Sequence, residues 1–126
     1  TMSITSVIEG DIVVNIVEES DMIDEIFAFV RDNIGRWVNR PVLWNLTSFD
    51  FKSIDYNSIR SLIKAGASLS EKRSGLRTEI VVSSDLGFGM MRMLQILAEE
   101  KLKVEFGVFR DKAQAFEWLS DSPTTR

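Results

Sequence analysis

The sequence predicts an α/β protein: a mixed sheet of about five strands with about four helices. Short β-rich runs alternate with helical ones along the chain. Glu9-Gly10-Asp11 separates two adjacent β-rich runs, which marks an antiparallel hairpin. Ile80-Val81-Val82 is apolar on both faces, as inner strands of a parallel sheet are. The 126 residues suit one domain, taken as 1–126, with Ser120–Arg126 expected to fray.

The elements follow in order. Ile4–Ile8 and Ile12–Val17 form the hairpin, because Gly10 can take the positive φ that a tight turn needs. Met22 to about Trp37 reads as a helix, with Ile23, Phe27, Val30 and Ile34 on one stripe and Ser20 or Asp21 as its cap. Phe29 falls off that stripe, near Met22, and so predicts an exposed apolar patch and a homodimer. Pro41 leads into a strand at Val42–Leu46. A second helix begins at Asp55 and buries Ile59, Leu62, Ile63 and Leu69. Ser70–Gly75, carrying Glu71, Lys72 and Arg73, is a solvated turn.

Leu76–Ser83 is the next strand and Phe88–Lys101 the third helix. Val104–Phe109 is the last strand, and Asp111 caps a helix over Lys112–Ser120, with Gln114 placed as in a capping box. The order is β-β-α-β-α-β-α-β-α. Right-handed crossovers make the later strands parallel, with the hairpin as an antiparallel edge. Ala113, Phe116, Trp118 and Leu119 of the last helix are expected to close the core.

Composition removes most catalytic chemistry. There is no cysteine and no histidine, so disulfides, thiolate nucleophiles, zinc–sulfur sites and the Ser-His-Asp triad are all absent. Fifteen Lys and Arg against nineteen Asp and Glu leave −4, which argues against nonspecific binding to nucleic acid or anionic membrane. No apolar run approaches the roughly 18 residues of a membrane span. The first residues lack a basic segment followed by an apolar one, so the expectation is a cytoplasmic protein.

The run Thr78-Glu79-Ile80-Val81-Val82-Ser83-Ser84-Asp85, then Gly87-Phe88-Gly89-Met90-Met91-Arg92-Met93, leads to Val108-Phe109-Arg110-Asp111-Lys112-Ala113-Gln114-Ala115-Phe116-Glu117-Trp118-Leu119. It resembles the SpoIIAA-like, or STAS/SEC14-domain, family. Those proteins carry a similar helix start after a strand and a closing V-F-x-x-x-x-x-A-x-x-W-L. The resemblance implies a STAS-like sandwich along nearly the whole chain and a non-catalytic binding or interaction module. SEC14-type relatives imply a small lipophilic ligand. The run from Trp44 to Ser58 resembles the STAS phosphorylation segment, in which an Asp-Ser pair opens a helix. Here Asp55 matches the aspartate, but Tyr56 stands where the serine would be. Ser53, Tyr56 and Ser58 are thus the candidate hydroxyls of the alternative function, a phospho-regulated partner switch.

Ligands of open α/β sheets favour the crevice beyond the carboxyl ends of the strands. One loop there carries Thr47, Ser48, Asp50, Asp55 and Tyr56, and the other carries Ser83, Ser84, Asp85, Gly87 and Gly89. With Arg92, which matches the family's arginine, Ser48, Asp50, Asp55, Tyr56, Ser84, Asp85, Gly87 and Gly89 form the candidate ligand site. Gly87-Phe88-Gly89 could present N–H groups to an anion, whereas the three aspartates would repel one or attract Mg²⁺. Capping and turn formation account for most of these residues equally well. Arg92 could pair with Asp85 or Asp50, or hold an acidic ligand group. No cofactor, metal or catalytic residue is expected. An enzyme would have to rely on carboxylate, Ser/Lys or Tyr56 chemistry. Met90, Met91 and Met93 suggest a helix bordering a lipophilic cavity or an interface, or ordinary core.

Overall fold

A computed structural model describes residues 4–18, 23–70, 76–101 and 105–120. The elements are β1 (Ile4–Glu9), β2 (Ile12–Val17), α1 (Ile23–Asn33), β3 (Val42–Asn45), α2 (Tyr56–Ser70), β4 (Arg77–Val81), α3 (Asp85–Lys101), β5 (Glu105–Phe109) and α4 (Lys112–Ser120). The five strands lie in the order β1-β2-β3-β4-β5. β1 pairs antiparallel with β2, from Ile4 opposite Val17 to Glu9 opposite Ile12, and Gly10 turns the hairpin at φ 63°. The other neighbours are parallel, with Val14 beside Leu43, Leu43 beside Glu79 and Glu79 beside Gly107.

This order decides where the helices go. Every crossover steps to the next strand in the same direction, so right-handed connections put α1, α2 and α3 on one face. On that face Val17, Ile80, Val82 and Val108 pack with Ile59 and Ile63 of α2 and Met91 and Leu94 of α3, while Ile26 of α1 leans against the cluster. The opposite face is left to α4. There Val14, Leu43 and Val81 pack with Ala115, flanked by Phe109, Phe116 and Trp118. Period-2 alternation divides the strands between these two cores.

Several boundaries and contacts differ from expectation. α1 stops at Asn33 and tightens into a 3-10 turn, Ile34–Arg36, so Trp37 leaves the helical stripe and folds back. Phe29 is partly buried rather than exposed: its ring lies 5.9 Å from that of Trp37 and 6.2 Å from that of Trp44. These rings pack with Val13, Ile34 and Val42. α3 starts three residues before Phe88, because Ser84 caps it: its Oγ accepts the Gly87 N–H at 2.9 Å and its carbonyl accepts the Phe88 N–H at 2.9 Å. In α4 the buried alanine is Ala115, while Ala113 is exposed. The caps Ser20 and Asp21, Met22, the 71–75 turn, Val104 and 121–126 lie outside the described residues, as do the side chains of Ile23, Phe27, Leu69 and Leu119.

Candidate functional site

The carboxyl ends of β3 and β4 meet the first turns of α2 and α3, and the two loops are joined directly. Ser83 Oγ donates to the Thr47 carbonyl at 2.8 Å. Asn45 Oδ1 accepts from the Thr47 N–H at 3.1 Å and from its hydroxyl at 2.7 Å, holding the chain as it leaves β3. Asp50 Oδ1 accepts the Lys52 N–H at 2.9 Å and so caps a 3-10 turn over Phe51–Ser53. That turn drives apolar side chains inward: Phe49 and Phe51 stack edge-on at 4.9 Å within the core.

Asp55 is the cap of α2. Its Oδ1 accepts the Ser58 N–H at 2.8 Å and the Ser58 hydroxyl at 3.0 Å. The Ser58 backbone bond, aided by the hydroxyl, holds this carboxyl below its ordinary range. Tyr56 is half exposed, with the Arg60 guanidinium 5.8 Å from its ring centre. Ser48 is exposed, and the side chain of Ser53 lies outside the described residues.

At α3, Asp85 takes an ion pair from Arg110 Nη1, and the same guanidinium lies 4.5 Å over the Phe88 ring. Arg92 does not reach Asp85 or Asp50. Its Nη1 donates to Gln95 Oε1 at 2.9 Å, and Gln95 Nε2 donates to the Phe106 carbonyl at 2.8 Å. The arginine at the crevice is thus Arg110, which follows the end of β5 directly. Among the described residues no three acidic side chains converge as a metal site.

The two glycines differ. A Cβ on Gly87 would sit 2.8 Å from two ring carbons of buried Phe51 and 3.0 Å from Ser84 Oγ, whereas one on Gly89 meets nothing within 4 Å. Alanine is favoured over glycine in a helix by about 1 kcal/mol. Overpacking costs about 1–3 kcal/mol. Gly87→Ala is therefore expected to destabilise by up to about 2 kcal/mol, while Gly89→Ala is neutral or stabilising by up to about 1 kcal/mol. Urea midpoints of the two variants check the pair; equal shifts would mean that Phe51 does not constrain position 87.

A second polar feature lies away from the crevice. Glu79, in the middle of β4, is 0% exposed, and neither carboxyl oxygen has a hydrogen-bond partner. Burial pushes its pKa up to about 9, against the opposing pull of Arg77. Asn15 of β2, on the opposite face, is also buried with its amide unpartnered. The sequence carries a signal for Glu79: it directly precedes Ile80-Val81-Val82, a run apolar on both faces, and alternation puts it on the same face as Val81.

No protein-family model matches this chain, and no match to it is found among curated proteins.

Proposed function

We propose that the protein is a non-catalytic interaction module of STAS-like type, which binds a protein partner through the carboxyl-end surface of its sheet. One observation carries the reading. Asp50, Asp55, Ser58, Ser83, Ser84 and Asp85 of the crevice are engaged in caps, loop bonds and the Arg110 pair, while two large apolar side chains stand exposed in the first turns of α2 and α3: Tyr56 at 50% and Leu86 at 49%. Contiguous exposed apolar surface rimmed by polar groups marks contact sites. The element order, a hairpin followed by alternating helices and strands and a closing helix, is also what the family resemblance implies.

The other readings have less behind them. Among the described residues the carboxyl that burial pushes up, Glu79, lies away from the crevice, on the face covered by α4. Met91 is buried in the core and Met90 and Met93 pack against it, so these side chains are accounted for without a lipophilic ligand. The Ser58 hydroxyl already donates to Asp55, so phosphate there would set a dianion against a carboxylate. Phe29, which suggested self-association, is occupied by Trp37 and Trp44.

Photo-crosslinking amino acids at positions 56 and 86, with exposed positions 61 and 64 of α2 as controls, test the reading in the cells that make the protein. The expected result is one shared adduct from 56 and 86 and none from 61 and 64. An adduct of twice the chain's mass would identify a second copy as the partner. No adduct at 56 and 86, or the same bands at all four positions, would overturn the proposed surface.

A further inference from the structure

The Glu79 carboxyl lies between the sheet and α4, and its surroundings are specific. On β5 its neighbour is Gly107, where any Cβ would stand 2.5 Å from Glu79 Oε1 and 3.2 Å from the Trp118 ring. The glycine is what gives the carboxyl room beneath the helix. On β3 its neighbour is Leu43, which is fully buried. Two residues back along β4, on the same face, is Arg77.

Arg77 holds the far end of α4. Its Nη1 donates to the Trp118 carbonyl at 2.7 Å, its guanidinium carbon lies 4.3 Å over the Trp118 ring, and its Nε bonds Glu105 at 2.7 Å. The other charged groups of this face are remote or solvated. On β5 Glu105 is already paired with Arg77. On α4 Lys112 and Glu117 are exposed, and the Lys112 ammonium lies 5.4 Å from the Phe116 ring. At the cap of α4, Asp111 is exposed and accepts the Ala113 N–H at 2.7 Å. From β2 the face presents Val14. Among the described residues Arg77 is thus the cation placed to answer a charge on Glu79, and it is also a group that fastens Trp118.

We propose that α4 is a proton-controlled latch. Protonated Glu79 lets α4 lie flat, with Arg77 bound to Trp118. Once Glu79 releases its proton to solvent, Arg77 turns to the new carboxylate, and the last turn of α4 lifts from the sheet. An unpaired carboxylate in an apolar interior is far costlier than a neutral carboxyl, so ionisation must be answered by a cation or by water, and both routes loosen α4. Reprotonation restores the closed form.

Three observations test the latch on the full chain between pH 7 and 10.5. With 5-fluorotryptophan in place of all three tryptophans, the Trp118 fluorine line, assigned with Trp118→Phe, is expected to shift with a midpoint near pH 9 while those of Trp37 and Trp44 stay in place. Amide protection in α4, normalised for intrinsic exchange, should fall by up to about tenfold per pH unit above the midpoint, with α2 and α3 unchanged. Glu79→Gln should abolish both effects. Should that variant not fold, ¹³C-glutamate labelling of the unaltered chain reads Glu79 directly, as a side-chain carbonyl signal titrating far above the others. The proposal is overturned if no glutamate titrates above pH 7, if the Trp118 line stays still, if its shift survives in Glu79→Gln, or if all three lines move together as in global unfolding.

Discussion

Trp37→Ala is expected to cost about 3–5 kcal/mol of folding stability, the range for removing a buried aromatic side chain. Trp37 is 4% exposed, and its ring lies 6.0 Å edge-on from Trp44 as well as 5.9 Å from Phe29. It ties the first helix to the middle of the sheet: Phe29 belongs to α1, Trp44 to β3, and Val13 of β2 packs in the same cluster. Its backbone would survive the change, because the Trp37 N–H bond to Ile34 and the Arg40 N–H bond to the Trp37 carbonyl do not involve the indole. The loss includes packing and the geometric preference of aromatic pairs. Urea denaturation with near-ultraviolet circular dichroism checks it. A cost below about 1 kcal/mol would mean that α1 is held by other contacts.

Glu79→Gln is expected to stabilise the protein at neutral pH, and by an amount that depends on pH. Burial raises the folded-state pKa to about 9 from an ordinary 4.5. Between those values the folded chain keeps a proton that the unfolded chain has released, so stability falls as pH rises through that window. Below it both states are protonated and the penalty vanishes. Glutamine has nearly the same shape and never ionises, so its advantage over glutamate should grow by about 1.4 kcal/mol per pH unit, reaching about 3 kcal/mol near pH 7. Denaturation curves at pH 5.5, 7 and 8.5 measure the trend. A difference that is constant with pH would show that Glu79 titrates alike in the folded and unfolded chains.

Much of the fold is legible in local chemistry. Gly10 between two β-rich runs specifies the hairpin, and Asp111 before Lys112–Ser120 specifies the last helix to the residue. Asp55 reads as a cap from its place before a helical stripe, and it accepts from Ser58. Long-range packing is what the sequence hides. A helical wheel for α1 shows Phe29 off the stripe, but it cannot show that Trp37 returns after a 3-10 turn to cover it. Arg92 looks like the partner of the crevice aspartates because it is near them in sequence. Arg110 takes Asp85 because β4 and β5 are neighbours in the sheet, which brings their loops side by side. Gly87 likewise reads as part of an anion loop, whereas what it accommodates is Phe51, from the loop after β3.

Each strand of this sheet has as its neighbour the strand made just before it. A chain leaving the ribosome can therefore build the sheet in the order of its synthesis: the β1–β2 ribbon first, then one strand and one covering helix at a time, with no strand inserted between two already paired. Until α4 is made, the face that carries Glu79 stands in water, where that carboxyl is charged at neutral pH. Docking of α4 is then the step at which the nascent protein takes up a proton, and the rate of that last step should slow as the medium becomes more alkaline.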